Sequence, residues 1–97
     1  MYAAVRRYEG ITDDAEAGRL VGESFIPQLK HIAGFVAYYW IDAGNGAMAS
    51  LSVFDDKHGA DESVKLAHQW VAENAAELIP NPPQVTEGLV VASDTNK

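Results

Sequence analysis

The segment Gly34–Val53, GFVAYYWIDAGNGAMASLSV, decides the fold that this sequence predicts. Its Asn45-Gly46 pair is the strongest short-range signal for a tight β-hairpin, because both turn residues must adopt positive φ. A strand with one face in water alternates apolar and polar residues, yet Phe35–Ile41 contains no charged residue and no such alternation. The segment therefore predicts a hairpin whose first strand is covered on both faces.

The length of the turn predicts which side chains of the hairpin share a face. A two-residue loop at Asn45-Gly46 places Gly44 opposite Ala47 and Trp40 opposite Leu51. One predicted face then carries Val36, Tyr38, Trp40, Ala49, Leu51 and Val53. The other carries Phe35, Ala37, Tyr39, Ile41, Met48, Ser50, Ser52 and Phe54. A three-residue loop would change this pairing and flip the assignment of faces.

A first helix is predicted between residue 13 and the start of the hairpin. Asp13 followed by Glu16 has the spacing of a capping box at a helix start. Pro27 lacks a backbone donor and presses on the preceding turn, so we expect a kink near Glu23–Pro27. Gly34 is a typical helix stop, since glycine accepts the left-handed conformation. The predicted buried stripe is Gly18, Val21, Phe25, Leu29 and Ile32.

The remaining segments predict two strands and a second helix. Tyr2–Tyr8 and Val85–Ala92 have the composition of strands. The second helix is expected from Asp55–Asp56 to Ile79, where three prolines prevent its continuation. Its predicted buried stripe is Val64, Ala67, Val71, Ala75 and Leu78. The order β-α-β-β-α-β predicts one α+β, ferredoxin-like domain over residues 1–97, with both helices on one face of a four-stranded antiparallel sheet.

The other face of this sheet has no predicted element to cover it. On either hairpin register it carries large apolar side chains, and an exposed patch of that size usually marks an interface. These side chains are Phe35, Tyr39, Ile41 and Phe54, or else Tyr38, Trp40 and Leu51. We expect a second copy of the chain to cover this face, with the two sheets packed about a two-fold axis.

The composition narrows the possible functions. Fourteen acidic and seven basic residues give a net charge of -7, which repels nucleic acid and anionic membrane surfaces. The chain has no cysteine and therefore no thiolate chemistry. It has no signal-peptide pattern and no apolar run of the ~20 residues that span a membrane, so a cytoplasmic protein is expected. Without a spaced histidine pair or a phosphate-binding loop, we expect no metal, flavin or haem cofactor.

Candidate ligand-binding residues lie on the second helix. Trp70 and Asn74 are one turn apart on one flank, where Trp70 suits the edge of a pocket and the pair can present a ring and an amide to one ligand. Packing at the helix edge or at a subunit contact is the alternative for Trp70. His68, on the opposite flank, is a candidate general base or an ordinary surface residue. A ligand pocket is predicted between this helix and the sheet, because Gly18 and Gly22 of the first helix leave volume there.

Arg6 and Arg7 point to opposite faces of the first strand, so one of them must point inward. A buried arginine needs a carboxylate or an anionic ligand. Glu87, on the neighbouring last strand, is the expected internal partner, and binding of a ligand by Arg6 or Arg7 is the alternative.

Four segments that together cover most of the chain resemble a known family. They are PQLKHIAGFVAYYW at 27–40, DAGNGAMASLSVFDD at 42–56, GADESVKLAHQWVAEN at 59–74 and VTEGLVVAS at 85–93. They resemble the dimeric α/β-barrel proteins grouped around the antibiotic biosynthesis monooxygenases. The resemblance implies a homodimer whose two sheets form a barrel, with a pocket between sheet and helices in each subunit.

The resemblance also implies a function. Some members of this family oxidise phenols or quinols with dioxygen and no cofactor, using a tryptophan, a tyrosine, an arginine and an asparagine. Residues of those types in this chain are Trp70, Tyr39, Arg6 and Asn74, and His68 with Arg6 would stabilise the substrate anion. Haem-degrading relatives have an asparagine in the first strand, which this chain lacks. A non-catalytic dimer that binds a small molecule or acts as a stress-related accessory protein is the alternative.

Overall fold

The computed structural model describes residues 1–96 of the chain. Four strands and three helices follow one another in the order β1, α1, α2, β2, β3, α3 and β4, with a π-helical segment between α1 and α2. Their bounds are Tyr2–Tyr8 for β1, Asp14–Leu20 for α1, Val21–Phe25 for the π-helical segment, Ile26–Leu29 for α2, Phe35–Gly44 for β2, Ala47–Phe54 for β3, Lys57–Asn74 for α3 and Gln84–Leu89 for β4.

The first helical region begins and is interrupted where the sequence predicts. The Asp13 carboxylate accepts a hydrogen bond from the Glu16 N–H at 3.1 Å and so satisfies a free donor of the first turn. The π-helical segment Val21–Phe25 lies just before Pro27, which confirms the interruption expected there. Gly34 ends the region with a positive φ of 84°.

The strands form one antiparallel sheet in the order β2-β3-β1-β4. The buried residues of the helices and the inward residues of β1 and β3 belong to one core, so the helices cover a single face of the sheet. The predicted α+β, ferredoxin-like architecture is therefore confirmed. In the part of the chain that the structure describes, no helix combines the length and the apolar character needed to cross a membrane.

The central hairpin closes at the predicted residues but pairs differently along its strands. Gly44 lies opposite Ala47 as predicted, and Asn45 has a positive φ of 55°. The register then shifts between Asp42 and Gly44, so Ala43 is an extra residue on β2. Such a bulge moves every later side chain of its strand to the other face of the sheet.

The predicted face assignment is wrong because of this bulge. Trp40 lies opposite Ser50, and Tyr39 lies opposite Leu51. Tyr38 and Trp40 therefore point toward the helices, and Tyr39 and Ile41 point to the bare face with Leu51. A second register shift after Phe35 returns that ring to the helix side, where it packs on the fully buried Phe54 at 5.8 Å between centroids. Phe54 belongs to the core, and not to the bare face where one of the two predicted registers placed it.

The second long helix is shorter than predicted and presents a different side to the core. It ends at Asn74, because Ala75 leaves the helical conformation with a φ of -143°. Its buried residues are Gly59, Ala60, Ser63, Ala67 and Trp70, and among these only Ala67 belongs to the predicted stripe. The true stripe begins at Gly59, on the flank where Trp70 lies, so Trp70 is inside the protein.

The contact between α3 and β3 generates a test of this packing. A Cβ atom on Gly59 would lie 2.6 Å from Cδ1 of Phe54, whereas a Cβ on Gly22 would meet no atom within 4 Å. We expect Gly59→Ala to lower the free energy of unfolding, because an overpacking cost of about 1–3 kcal/mol exceeds a helix-propensity gain of about 1 kcal/mol. Gly22→Ala is the matched control and should stabilise the protein by about 0.5–1 kcal/mol. Urea unfolding of both variants measures the difference, and equal effects would contradict the packing of Gly59 on Phe54.

Candidate functional site

A buried arginine occupies the middle of the helix-covered sheet face. Arg6 is 1% exposed and lies between Ser50 of β3 and Val85 of β4. Its neighbour Arg7 points to the bare face, where its guanidinium approaches the Glu9 carboxylate at 3.6 Å. The strand alternation thus selects Arg6 as the inward arginine.

Arg6 does not form the predicted ion pair with Glu87. Among residues 1–96, no carboxylate oxygen lies within 4.0 Å of an Arg6 nitrogen. Arg6 Nη2 donates to Ser52 Oγ at a long 3.4 Å, and the guanidinium carbon lies 5.9 Å from the centroid of the Phe25 ring. Arg6 Nε and Nη1 are buried and have no acceptor in this part of the chain. A permanently charged group is therefore desolvated without a counter-charge.

Glu87 has a different neighbour for a simple topological reason. It lies opposite Ala4 in β1, and its carboxyl group meets Asp61 of α3. A hydrogen bond between the two carboxyl groups raises the pKa of Glu87 and lowers that of Asp61. Glu87 therefore faces Asp61 at the edge of the sheet and forms no ion pair with Arg6 within residues 1–96.

Two tyrosines flank Arg6 without supplying the missing charge. Burial raises the pKa of the Tyr8 phenol, and the nearby Arg6 guanidinium offsets only part of this effect. Burial also raises the pKa of Tyr38, again against the influence of Arg6. Both side chains are therefore neutral phenols at pH 7, and Arg6 remains uncompensated.

Aromatic rings enclose the space next to Arg6. Phe25 contacts Tyr38 and Trp70 with centroid distances of 5.6 and 5.4 Å, and Tyr8 contacts Trp40 at 5.5 Å. The rings leave a cavity of about 10 Å³ that Arg6 lines together with Tyr8, Tyr38, Trp40 and Trp70. This is room for about one water-sized particle.

A much larger groove opens between α3 and β4. It has a volume of about 630 Å³ and mainly apolar walls. Its buried end is formed by Arg6 and Tyr8, and its exposed rim includes His68 and Lys65. The remaining wall residues are Val64, Ala67, Val71, Ala72, Ala76, Ile79, Pro80, Asn81, Pro82, Pro83 and Val85. We name this site the α3–β4 groove.

A second groove, of about 500 Å³, lies between α1 and the edge strand β2. Gly18 and Gly22 line it, but they do not open the interior as predicted. Gly22 is exposed, and Gly18 is half-buried with the Trp40 ring 3.8 Å from the place where its Cβ would be. The interior beneath the π-helical segment is filled by aromatic side chains.

The structure places the predicted site residues in four different parts of the protein. Arg6 and Trp70 line the interior cavity, and Arg6 and His68 line the α3–β4 groove. Trp70 is 3% exposed and donates its Nε1–H to Ser24 Oγ at 2.9 Å, so it lies in the core and not at a pocket edge. Asn74 is exposed and donates to the Trp70 carbonyl at 3.1 Å, whereas Tyr39 is 60% exposed on the opposite sheet face.

Three aromatic neighbours of Arg6 were missed by the sequence analysis. Tyr8 shares the inward face of β1 with Arg6 by simple alternation, so its position was available from the sequence once Arg6 was known to be buried. Tyr38 and Trp40 reach the site only because the bulge at Ala43 turns them toward the helices. In residues 1–96, no three His, Asp or Glu side chains are grouped closely enough to hold a metal ion.

Solved structures share this fold across nearly the whole chain. The NE2512 protein of unknown function from Nitrosomonas europaea has a TM-score of 0.78 and 21% identity, and the match covers 99% of this chain and 94% of that one. The monooxygenase from the gene ActVA-Orf6 of Streptomyces coelicolor, in complex with nanaomycin D, has a TM-score of 0.73 and 12% identity, over 99% and 92% of the chains. A dimeric ferredoxin-like protein from an uncultured marine organism has a TM-score of 0.65 and 12% identity, over 99% and 100%.

The sequence matches no protein-family model and no curated protein. The structural similarity therefore establishes the fold, which this chain shares with antibiotic biosynthesis monooxygenase-like proteins of the ferredoxin-like class. The family resemblance expected from the sequence is confirmed at this level.

The burial of Trp70 predicts that its role is structural. Trp70→Ala should lower the free energy of unfolding by about 3–5 kcal/mol, as expected for removing a buried tryptophan. Trp70→Phe should cost about 1 kcal/mol, because it removes the hydrogen bond to Ser24 and keeps most of the ring. Urea unfolding measures both effects. Ser24→Ala is the partner variant: its cost and that of Trp70→Phe should not add in the double variant, and full additivity would show that this hydrogen bond does not stabilise the protein.

Proposed function

We propose that this protein binds an aromatic compound with an ionisable hydroxyl group in the α3–β4 groove and oxidises it with dioxygen without a cofactor. The observation that carries the proposal is the desolvated Arg6 guanidinium, which has no counter-charge within residues 1–96 and lies at the buried end of an apolar groove. A phenolate oxygen that contacts Arg6 would supply the missing charge, while its ring is buried against the apolar walls.

The size of the groove supports a small-molecule ligand. Its 630 Å³ lies within the range of about 300–1,000 Å³ that is usual for ligand pockets. Pro80, Pro82 and Pro83 form part of one wall, and proline fixes the backbone of that wall in advance. A preformed apolar site of this kind binds a ring without a large cost of ordering.

Two residues of the groove have different roles in the proposed reaction. His68 lies at the rim and would accept the hydroxyl proton of the substrate, and Arg6 would stabilise the resulting phenolate. Removal of water from the groove strengthens this electrostatic effect. The phenolate is electron-rich and passes electrons to dioxygen. The role of the protein is to hold the substrate proton on His68 and to stabilise the phenolate charge with Arg6.

The oxidation balances without a further reagent. For a phenol, one oxygen atom of dioxygen forms a new bond to the ring carbon opposite the hydroxyl. The other oxygen leaves as water with the hydrogen atoms of that C–H and of the hydroxyl. The phenol loses four electrons in total and becomes a quinone. For a quinol, two electrons and two protons pass to dioxygen and give a quinone and hydrogen peroxide. The shared fold of the Streptomyces coelicolor monooxygenase supports this class of reaction.

Arg6→Met tests the proposed function. With a panel of phenols and quinols, an oxygen electrode should record uptake by the wild-type protein, and Arg6→Met should lower kcat/KM by about 100-fold or more, as for the loss of one oxyanion donor. His68→Gln should lower it by about 100-fold or more, as for the loss of a general base.

Arg7→Met is the matched control, because it removes the same charge from the other face of the same strand. Its rate should equal that of the wild type. Oxygen uptake that a folded Arg6→Met variant retains in full would contradict the role of Arg6, and absence of uptake by the wild type with every compound would contradict the oxidation.

A second function, small-molecule binding without turnover as an accessory dimer, is favoured by one observation. Aromatic side chains fill the interior beside Arg6 and leave only about 10 Å³, so no ring fits there and a bound ring would touch Arg6 from one side only. Calorimetric binding of a phenol without any oxygen uptake would support this function over the oxidation.

The bare sheet face supports a homodimer. Its exposed apolar side chains include Val5, Tyr39 and Ile41, which are 41%, 60% and 51% exposed, and Leu51 lies beside them. The ferredoxin-like neighbour from the marine organism is dimeric and supports self-association of this chain. Packing two such faces together leaves the α3–β4 groove open, because the groove lies on the helix side of the sheet.

Tyr39→Asp tests this interface. Light scattering of the wild-type protein at micromolar concentration should give twice the 10.5 kDa chain mass. Tyr39→Asp should give monomers, because a buried unpaired charge costs several kcal/mol. Gln69→Asp adds the same charge to an exposed position of α3 and should leave the dimer intact. A wild-type monomer, or a Tyr39→Asp dimer, would contradict this interface.

A further inference from the structure

The wall of the interior cavity includes two residues with buried hydrogen-bond donors that have no partner in the described part of the chain. Arg6 and Trp40 line it, and neither side chain can accept a conventional hydrogen bond. Arg6 Nε, Arg6 Nη1 and Trp40 Nε1 are all buried, and none of them has an acceptor within residues 1–96. The other polar groups of the wall are the hydroxyls of Tyr8 and Tyr38, which lie near Arg6 and can donate as well as accept, and the Trp70 indole, which already donates to Ser24.

The charges around the cavity have one sign. The Arg6 guanidinium is positive, both phenols are neutral, and no carboxylate of residues 1–96 contacts the guanidinium. The surface charge of -7 repels anions at long range, but salt screens charges beyond about 8–10 Å, whereas the buried cation acts at contact distance. The cavity is therefore a small positive site inside an acidic protein.

We propose that this cavity binds a monatomic anion, a halide such as chloride, held by Arg6 and by the Trp40 indole N–H. The size of the site excludes polyatomic anions, and the charge of Arg6 favours an anion. About 10 Å³ accommodates one water-sized particle, whereas a carboxylate or a phosphate ion has several heavy atoms and does not fit. The proposal does not rest on the proposed oxidation, since it needs only the cavity and its donors.

The interior cavity lies next to the α3–β4 groove. The cavity and the α3–β4 groove share five wall residues, namely Arg6, Tyr8, Ala67, Val71 and Ile79. We therefore expect a halide to enter the cavity from the groove, with a movement of these side chains. A phenolate in the groove and a halide in the cavity would compete to neutralise the same guanidinium.

Thermal unfolding in different sodium salts tests the proposal without any aromatic compound. At constant ionic strength, replacing sodium gluconate by sodium chloride or sodium bromide should raise the unfolding midpoint. Above the dissociation constant, each tenfold increase in halide should raise the unfolding midpoint by about 5–11 °C, as expected for a ligand that binds only the folded state. Equal midpoints in gluconate and halide at every concentration would overturn the proposal.

Two variants locate the effect. Trp40→Phe keeps a ring and removes the N–H, so the halide concentration that gives half of the stabilisation should rise by about tenfold, as for the loss of one hydrogen bond to a charged ligand. Arg6→Met should abolish the halide dependence, whereas Arg7→Met should keep it, because Arg7 lies on the other face of the sheet. If Arg6→Met does not fold, the Trp40→Phe variant and a crystal of the wild-type protein still test whether the cavity binds a halide.

Anomalous diffraction from a crystal of the wild-type protein in sodium bromide identifies the site directly. We expect one strong bromide peak within hydrogen-bond distance of Arg6 and Trp40 Nε1. Only water at that position, or halide stabilisation that persists unchanged in both Arg6→Met and Trp40→Phe, would overturn the assignment. Failure of the oxidation with intact halide binding would contradict the proposed function alone.

Discussion

One extra residue in β2 decides how the two faces of the sheet are used. Ala43 shifts the register of the central hairpin, so Tyr38 and Trp40 turn toward the helices, and Tyr39 and Ile41 turn away from them. The inward pair closes the space beside the buried arginine of β1. The outward pair makes the bare face apolar. Without the bulge, these two sets of side chains would exchange places, and both the interior and the bare face would be different.

The buried guanidinium of Arg6 is the second constraint, and it is electrostatic. A cation in a sheet interior is usually paired with a carboxylate, because removing it from water costs several kcal/mol. Here Ser52, Phe25 and two neutral phenols surround it, and Glu87 is engaged by Asp61 instead. A protein with fourteen acidic residues thus leaves its most buried charge unpaired within residues 1–96, which favours an anion from solution as the partner.

Packing explains why the larger opening lies at β4 rather than beneath the first helical region. Trp70 and Phe25 fill the space under the π-helical segment, and the hydrogen bond from Trp70 to Ser24 joins α3 to that segment. At the other edge, α3 ends at Asn74 and the chain returns through three prolines, so small side chains such as Ala72 and Ala76 face β4 across a gap. The groove is a consequence of an early helix end.

Local sequence patterns specify the order of the elements, the hairpin turn at Asn45-Gly46, the helix start at Asp13 and the interruption before Pro27. These features depend on steric contacts and hydrogen bonds between residues within about four positions of each other in the sequence. Local patterns also specify that one of two adjacent arginines must be buried. Only the tertiary structure decided that Arg6 meets Ser52, 46 positions away, instead of Glu87, and that Trp70 is core rather than a pocket edge. Register, helix rotation and counter-charge depend on contacts between distant residues, and no local pattern specifies them.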